Sequence, residues 1–271
     1  SRTRTYRLHV PEGAALAESV PLLVALHGGG GSAGQYEQAS GFAELAATDG
    51  VLVVFPDGYG RGEVQLLRTW NAGDCCGPAV ADDVDDVAFV RQLVEELAAE
   101  HPIDPRRVLV AGHSNGAAMA YRLACELSDV VVAIGVQSGP LGVEPCEPAR
   151  PVSVLHVHGS DDANVPIDGG VGPEGISGVD FWPVRRGLAA IAAADGCASE
   201  PEVRTMGQDP VLTIETWDGC EGGSVVELVV VEGAGHAWMG PGGTGGRGDA
   251  VDVGYDTTAE IWGFLSRWVT P

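Results

Sequence analysis

The chain contains no lysine. All 15 of its basic residues are arginine, set against 38 Asp and Glu, for a formal charge of -23. A surface this acidic repels phosphate backbones and anionic lipid headgroups, so nucleic-acid and membrane-surface partners are not expected. Without lysine the phosphate loop G-x-x-x-x-G-K-[ST] cannot be built, and G-x-G-x-x-G matches within HGGGGSAG lack an evident acidic ribose partner. No apolar run approaches the length of a bilayer span. Residues 1 to 20 lack the charged and then apolar regions of a signal peptide, so the expectation is a soluble chain from which any secretion signal has been removed. Metal motifs are missing too. No C-x-x-C pair and no Cys with a His at metal spacing occurs. The carboxylates of ADDVDDVAF, at 82, 83, 85 and 86, lack the EF-hand glycine and closing Glu, and helix capping accounts for them better.

What is present fits a globular α/β protein. Apolar residues make up 45% and charged residues 20% of the 271 positions, and 40 glycines point to many turns. A chain of this length buries roughly 70 to 75% of its unfolded surface. The six cysteines at 75, 76, 125, 146, 197 and 220 are an even number, which favours disulfides in an oxidising compartment. Cys197 and Cys220 flank a polar segment leading to strand-like TIETW and are expected to pair. The partners of Cys75, Cys76, Cys125 and Cys146 stay open, including a free buried Cys125.

Strand-like segments are TYRLHV (5 to 10), PLLVALH (21 to 27), VLVVFPD (51 to 57), RVLVAG (107 to 112), VVAIGVQSG (131 to 139), VSVLHVHG (152 to 159) and VVELVVVEG (225 to 233). Helical patterns fall at 38 to 48, 83 to 100, 117 to 127, 184 to 195 and 257 to 269. Alternating apolar strands and helices predict an α/β fold, a mostly parallel central sheet with helices on both faces, formed by residues 1 to 271 as a single domain. Functional loops of such sheets lie at the carboxyl ends of the strands. The glycine-rich stretches 168 to 179 and 240 to 248 read as long loops.

Gly112, His113, Ser114, Asn115 and Gly116 fit G-x-S-x-G between a buried strand and a helix, the setting of a nucleophile elbow. A serine hydroxyl needs a base within hydrogen-bond reach and an acid to orient that base. In hydrolases on parallel sheets the chain order is Ser, acid, His, which leaves His156, His158 and His236 as bases. His156 and His158 lie on the strand leading to the acid and are expected to pack or orient that loop. His236, between glycines in EGAGHAWMG, is the expected base. The acid falls in HGSDD, where spacing does not separate Asp161 from Asp162. LHGGGGSA supplies backbone donors after the first buried strand, so the N–H groups of Gly29 and Asn115 are the expected oxyanion donors. Trp70, Trp182 and Trp238 are candidate cleft aromatics.

HGGGGSA, TWNAGDCCG, VDDVAFV, GHSNGAAMAYRLAC, HGSDDANVP and GAGHAW, in this order, resemble the secreted polyhydroxybutyrate depolymerase and feruloyl esterase family of α/β-hydrolases, in particular its LpqC-like branch. The resemblance spans about residues 5 to 270. It implies a secreted, monomeric serine carboxylesterase with no metal or organic cofactor. In the pattern H-G-[ST]-x-D-x-x-V-P the aspartate matches Asp162, while the usual Pro after it is Ala163. Implied substrates are polyhydroxyalkanoate-type polyesters, or feruloyl and acetyl esters of polysaccharide. The same parts in another role would make a serine peptidase, and a silent site would make a non-catalytic binding protein on the same scaffold.

Overall fold

The computed structural model describes residues 3–62, 66–243 and 249–269. The polar start forms β1 (Tyr6–His9), and the apolar run VPLLVAL forms β2 (Val20–Leu26), buried along its whole length. Helix α1 (Ala33–Ser40) begins earlier than its pattern predicts, because the Ser32 hydroxyl caps it by accepting the Gln35 N–H. Gly41, at φ 64, then ends it, so the helical pattern over 38 to 48 is broken there before the single turn of α2 (Leu45–Thr48). Next come β3 (Leu52–Pro56), the hairpin strands β4 (Tyr59–Arg61) and β5 (Leu66–Thr69), and the helices α3 (Gly77–Ala81) and α4 (Asp86–Glu100).

Asp85 caps α4 by accepting the Ala88 N–H, as the acidic run suggests. Asp86 does something else. It is fully buried, takes the Arg4 guanidinium at 2.6 Å and accepts the Asn71 N–H at 2.7 Å, so it pins the chain start and the segment after β5 to α4.

The second half comprises β6 (Ile103–His113), α5 (Asn115–Glu126), β7 (Val131–Gln137), β8 (Ser153–Gly159), α6 (Val184–Ala194), β9 (Glu202–Met206), β10 (Leu212–Trp217), β11 (Val226–Val231) and α7 (Thr257–Leu265). Nine strands make one sheet in the order β1-β3-β2-β6-β7-β8-β11-β10-β9. The pairings from β3 through β11 are parallel, and β1, β10 and β9 add antiparallel edges. Strand β9 has no counterpart in the sequence reading, because all its residues are exposed and it carries no apolar alternation. Two cores cover the sheet: one collects side chains of α4, α5 and α6, the other those of α1 and α7.

The Cys197–Cys220 bond matches its expectation. Cys125 is not free but bonded to Cys146, tying the end of α5 to the loop before β8, and the neighbours Cys75 and Cys76 are bonded to each other. Residues 244 to 248 of the expected loop at 240 to 248 lie outside the described residues.

The sheet order places the site. From β2 the chain moves outward to β3, then returns to the other side of β2 for β6, so the loops leaving β2 and β6 diverge and open a crevice at the carboxyl ends. Backbones approach closely here. A Cβ on Gly116 would overlap the carbonyl oxygens of Leu26 and His27, and one on Gly112 would overlap that of Gly116. His27, at the end of β2, accepts the Gly58 N–H on Nε2 at 2.9 Å and donates from Nδ1 to Gly28 O at 2.7 Å, which requires a neutral ring.

Two outcomes follow. Gly116→Ala forces apart backbone that has no room, and is expected to cost about 3 kcal/mol in chemical denaturation; an unchanged midpoint would refute the close approach. Burial lowers the His27 pKa from 6.5 to about 4. The unfolded chain therefore binds the extra proton in that window, so stability falls as pH drops from about 6.5 toward 4, by on the order of 3 kcal/mol. Thermal melts of His27→Gln are expected to show a shallower pH dependence than the native chain, and equal slopes would rule this out.

Candidate functional site

Ser114 lies between the last residue of β6 and the first of α5, at φ 55 and ψ -121, a conformation that side-chain-bearing residues rarely adopt. The surroundings hold it there. Its N–H donates to Gln137 O at 2.8 Å, its carbonyl accepts the Ala118 N–H at 3.0 Å, and Gly139 packs against that carbonyl where a Cβ would overlap it. Asn115 N–H is among the first amides of α5, which have no intrahelical acceptor. Gly29 lies beside it: a Cβ there would stand 3.6 Å from the Asn115 Cβ. Among the described residues the Gly29 N–H has no acceptor, while its neighbours Gly30 and Gly31 donate to Arg68 O and Gly28 O and fix the loop.

The sequence reading gives Asn115 a backbone role only, yet its side chain has one as well. Its Oδ1 accepts the Trp70 N–H at 2.7 Å and its Nδ2 donates to Trp70 O at 3.0 Å. Trp70 in turn donates from its indole to His27 O at 2.9 Å. Trp70 is thus fully buried and braces the two loops from beneath, so it does not line the cleft as the sequence reading allows.

The structure brings His236 and Asp162 to Ser114. His236 Nε2 lies 2.9 Å from Ser114 Oγ, and His236 Nδ1 lies 2.8 Å from Asp162 Oδ2. Asp162 is 4% exposed, and its Oδ1 accepts the N–H groups of Asn164 and Val165. Burial pushes the Asp162 carboxyl up, but the bond from His236, the nearby imidazoles and the Val165 amide outweigh it and hold the carboxyl below its usual range. Asp161 is exposed, and its carboxylate accepts from the neighbouring Ser160 hydroxyl. His113 Nε2 donates to the His236 carbonyl at 2.9 Å, and desolvation lowers its pKa to about 3, so the ring stays neutral. This support for the His236 loop was not read from the sequence; its one signal is the position of His113 inside the elbow.

A cleft of about 420 Å³ opens over these groups, with Gly29, the exposed Gln35 and Gln38, and Trp238 on its walls. Trp238 lies on a wall of this cleft, with its indole N–H on Thr258 Oγ1. Trp182 does not. It lines a separate small hollow with Cys75 and Asp180, just before α6, and its ring is covered by the Arg186 guanidinium at 3.9 Å.

With the geometry in place, comparison with known proteins is informative. Residues 4–199 match the family model described as Esterase PHB depolymerase. The chain is 33% identical over 234 residues to feruloyl esterase B of Piromyces equi, covering 84% of this chain and 41% of that protein. It is 33% identical over 257 residues to NocK of Nocardia uniformis subsp. tsuyamanensis, described as an esterase, covering 90% of this chain and 72% of that one. The chain thus spans less than half the length of the Piromyces protein. The solved acetyl xylan esterase from Aspergillus awamori superposes with a TM-score of 0.60 over 96% of this chain and 93% of its own, at 17% identity, a likeness of fold. The fold is that of the α/β-hydrolases, and the chain belongs to the Esterase PHB depolymerase family.

Proposed function

We propose that this chain is a secreted serine carboxylesterase whose residues 1 to 271 form one catalytic domain, with Ser114 as nucleophile, His236 as base and Asp162 as the acid that orients it. The observation that carries this reading is the unbroken series Ser114 Oγ, His236 Nε2, His236 Nδ1, Asp162 Oδ2, with links of 2.9 and 2.8 Å at a strained strand-to-helix turn.

The chemistry follows from that order. His236 removes the hydroxyl proton as Ser114 Oγ attacks the ester carbonyl carbon, and Asp162 balances the imidazolium that forms. Negative charge gathers on the former carbonyl oxygen, where the N–H groups of Gly29 and Asn115 and the N-terminus of α5 stabilise it. Collapse of this intermediate breaks the carbon–oxygen bond to the alcohol, which takes the proton from His236. Water, deprotonated by His236, then attacks the acyl-enzyme and releases the acid and Ser114. No step calls for a metal or organic cofactor.

The substrate class proposed is a carboxylic ester on a hydroxyl-rich or polyester chain: a polyhydroxyalkanoate, or a feruloyl or acetyl ester of polysaccharide. Family membership supports it, as do an open cleft with two amide side chains and an indole on its walls. Three disulfides support secretion, since such bonds persist in oxidising compartments.

Ser114→Ala is expected to lower kcat on p-nitrophenyl butyrate on the order of a millionfold and to abolish labelling by a fluorophosphonate, with the fold intact by circular dichroism; retained turnover would sink the assignment. Assayed side by side, acyl esters are expected to be hydrolysed and peptide anilides left intact. A preference for the anilides would instead make the protein a peptidase.

A further inference from the structure

Behind Asp162 lies a row of buried polar groups that the acyl-transfer scheme does not use. His156 and His158 are alternate residues of β8 and share one face of the strand. Both are fully buried, with ring centroids 5.2 Å apart. Tyr121, two turns beyond Ser114 on α5 and also buried, completes the row. Its hydroxyl lies 2.7 Å from His156 Nδ1, and His156 Nε2 lies 2.9 Å from His158 Nδ1. His158 Nε2 is 2.8 Å from Val165 O and 3.4 Å from Asp162 Oδ2.

Hydrogen-bond chemistry assigns every proton in this row. A carbonyl oxygen only accepts, so His158 Nε2 carries a hydrogen. Burial disfavours the charged form of both rings and lowers their pKa values. His158 Nδ1 is then a lone pair and accepts from His156 Nε2–H, which leaves His156 Nδ1 to accept from the Tyr121 hydroxyl. Each donor therefore points along the row toward the turn that bears Asp162, the last ending on Val165 O, and hydrogen bonds aligned in this way polarise one another. The remaining titratable or charged groups that act on the row are His113 from the elbow, His236 from the loop after β11 and Arg185 from α6.

The row also closes the acid's own turn. Val165 donates its N–H to Asp162 Oδ1 while its carbonyl is held by His158, so the carboxylate and the imidazole grip one residue from both sides. One end of the row stands on the helix that starts at Ser114, and the other on the turn that bears Asp162.

We propose that Tyr121, His156 and His158 form a proton-ordered relay that orients the Asp162 carboxylate and supports its negative charge while His236 is protonated in the acyl-transfer transition state. The inference rests on the triad reading. None of the three residues touches the substrate, so they are positioning residues.

The test is kcat and KM on a soluble p-nitrophenyl ester across pH for Tyr121→Phe, His158→Leu and His158→Gln. His158→Leu is expected to lower kcat on the order of 10- to 100-fold, the cost of misplacing a catalytic group, with KM within about twofold. The acid limb of its kcat/KM profile moves to higher pH, because a carboxylate that has lost the nearby His158 N–H dipole and whose turn is no longer held at Val165 O makes the Asp162–His236 pair hold its proton more tightly. His158→Gln, whose amide still reaches Val165 O, recovers most of the kcat. Tyr121→Phe removes one hydroxyl from a ring of the same shape and falls between the two, and it carries the test if His158→Leu fails to fold. The relay is overturned if folded Tyr121→Phe matches the native chain and His158→Leu changes only the melting temperature. That failure would appear in proteins whose Ser114 still reacts with a fluorophosphonate, whereas failure of the triad reading would appear in Ser114→Ala.

Discussion

At the centre of the sheet, the turn from β6 to α5 is so tight, and passes so close to the ends of β2 and β7, that there is no room for a Cβ at Gly112 inside the turn, at Gly116 against β2 or at Gly139 after β7. This contact confines Ser114 to φ 55, a strain of order 1–3 kcal/mol that persists only because the neighbouring backbones over-determine it. It lifts the hydroxyl clear of the sheet and leaves the first amides of α5 facing the same space as Gly29. The positions of the proposed nucleophile and the proposed oxyanion donors are therefore consequences of one packing constraint.

The loops that complete the site are braced from below by uncharged groups. Asn115 grips both peptide groups of Trp70, and Trp70 holds His27 O, so the α5 start, the β2 loop and the segment after β5 are joined through one buried indole and one amide. His113 does the same for the His236 carbonyl. His27 spends its Nε2 on accepting the Gly58 N–H, a bond that a charged ring could not make. These braces carry no charge, whereas the buried carboxylates Asp86 and Asp162 have Arg4 and His236 as their partners.

Arginine supplies the positive partners of the chain's carboxylates, and its planar fork suits bidentate contact. Arg4 reaches the buried Asp86, and Arg185 holds Glu215 with two nitrogens at the start of α6. These pairs tie Arg4, near the chain start, to α4 and tie α6 to β10.

Much of this was legible in the residues. The buried strands announced themselves as continuous apolar runs, and Ser114 and His236 stood out because glycines mark places where backbone must come close. The choice of Asp162 over Asp161 came through the family pattern; in the structure the turn after β8 sets the Asp162 carboxylate against His236 and leaves Asp161 exposed. Strand β9 was invisible because an exposed edge carries no apolar alternation. Trp70 and Trp182 were misplaced because an aromatic residue near a motif in sequence says nothing about which side of the sheet its ring takes. The partner of Cys125 was not fixed by spacing, since pairing depends on the Cα separation of 4.9 Å to Cys146 that the folded loops create. The sequence by itself determined the fold class, the chain order of the proposed nucleophile, acid and base, and the need for close backbone approach, because these are properties of local pattern and chain order. Only the tertiary structure decided the clamp of Asn115 on Trp70 and the row from Tyr121 to Asp162, because hydrogen bonds between residues far apart in the chain depend on where the sheet sets its strands.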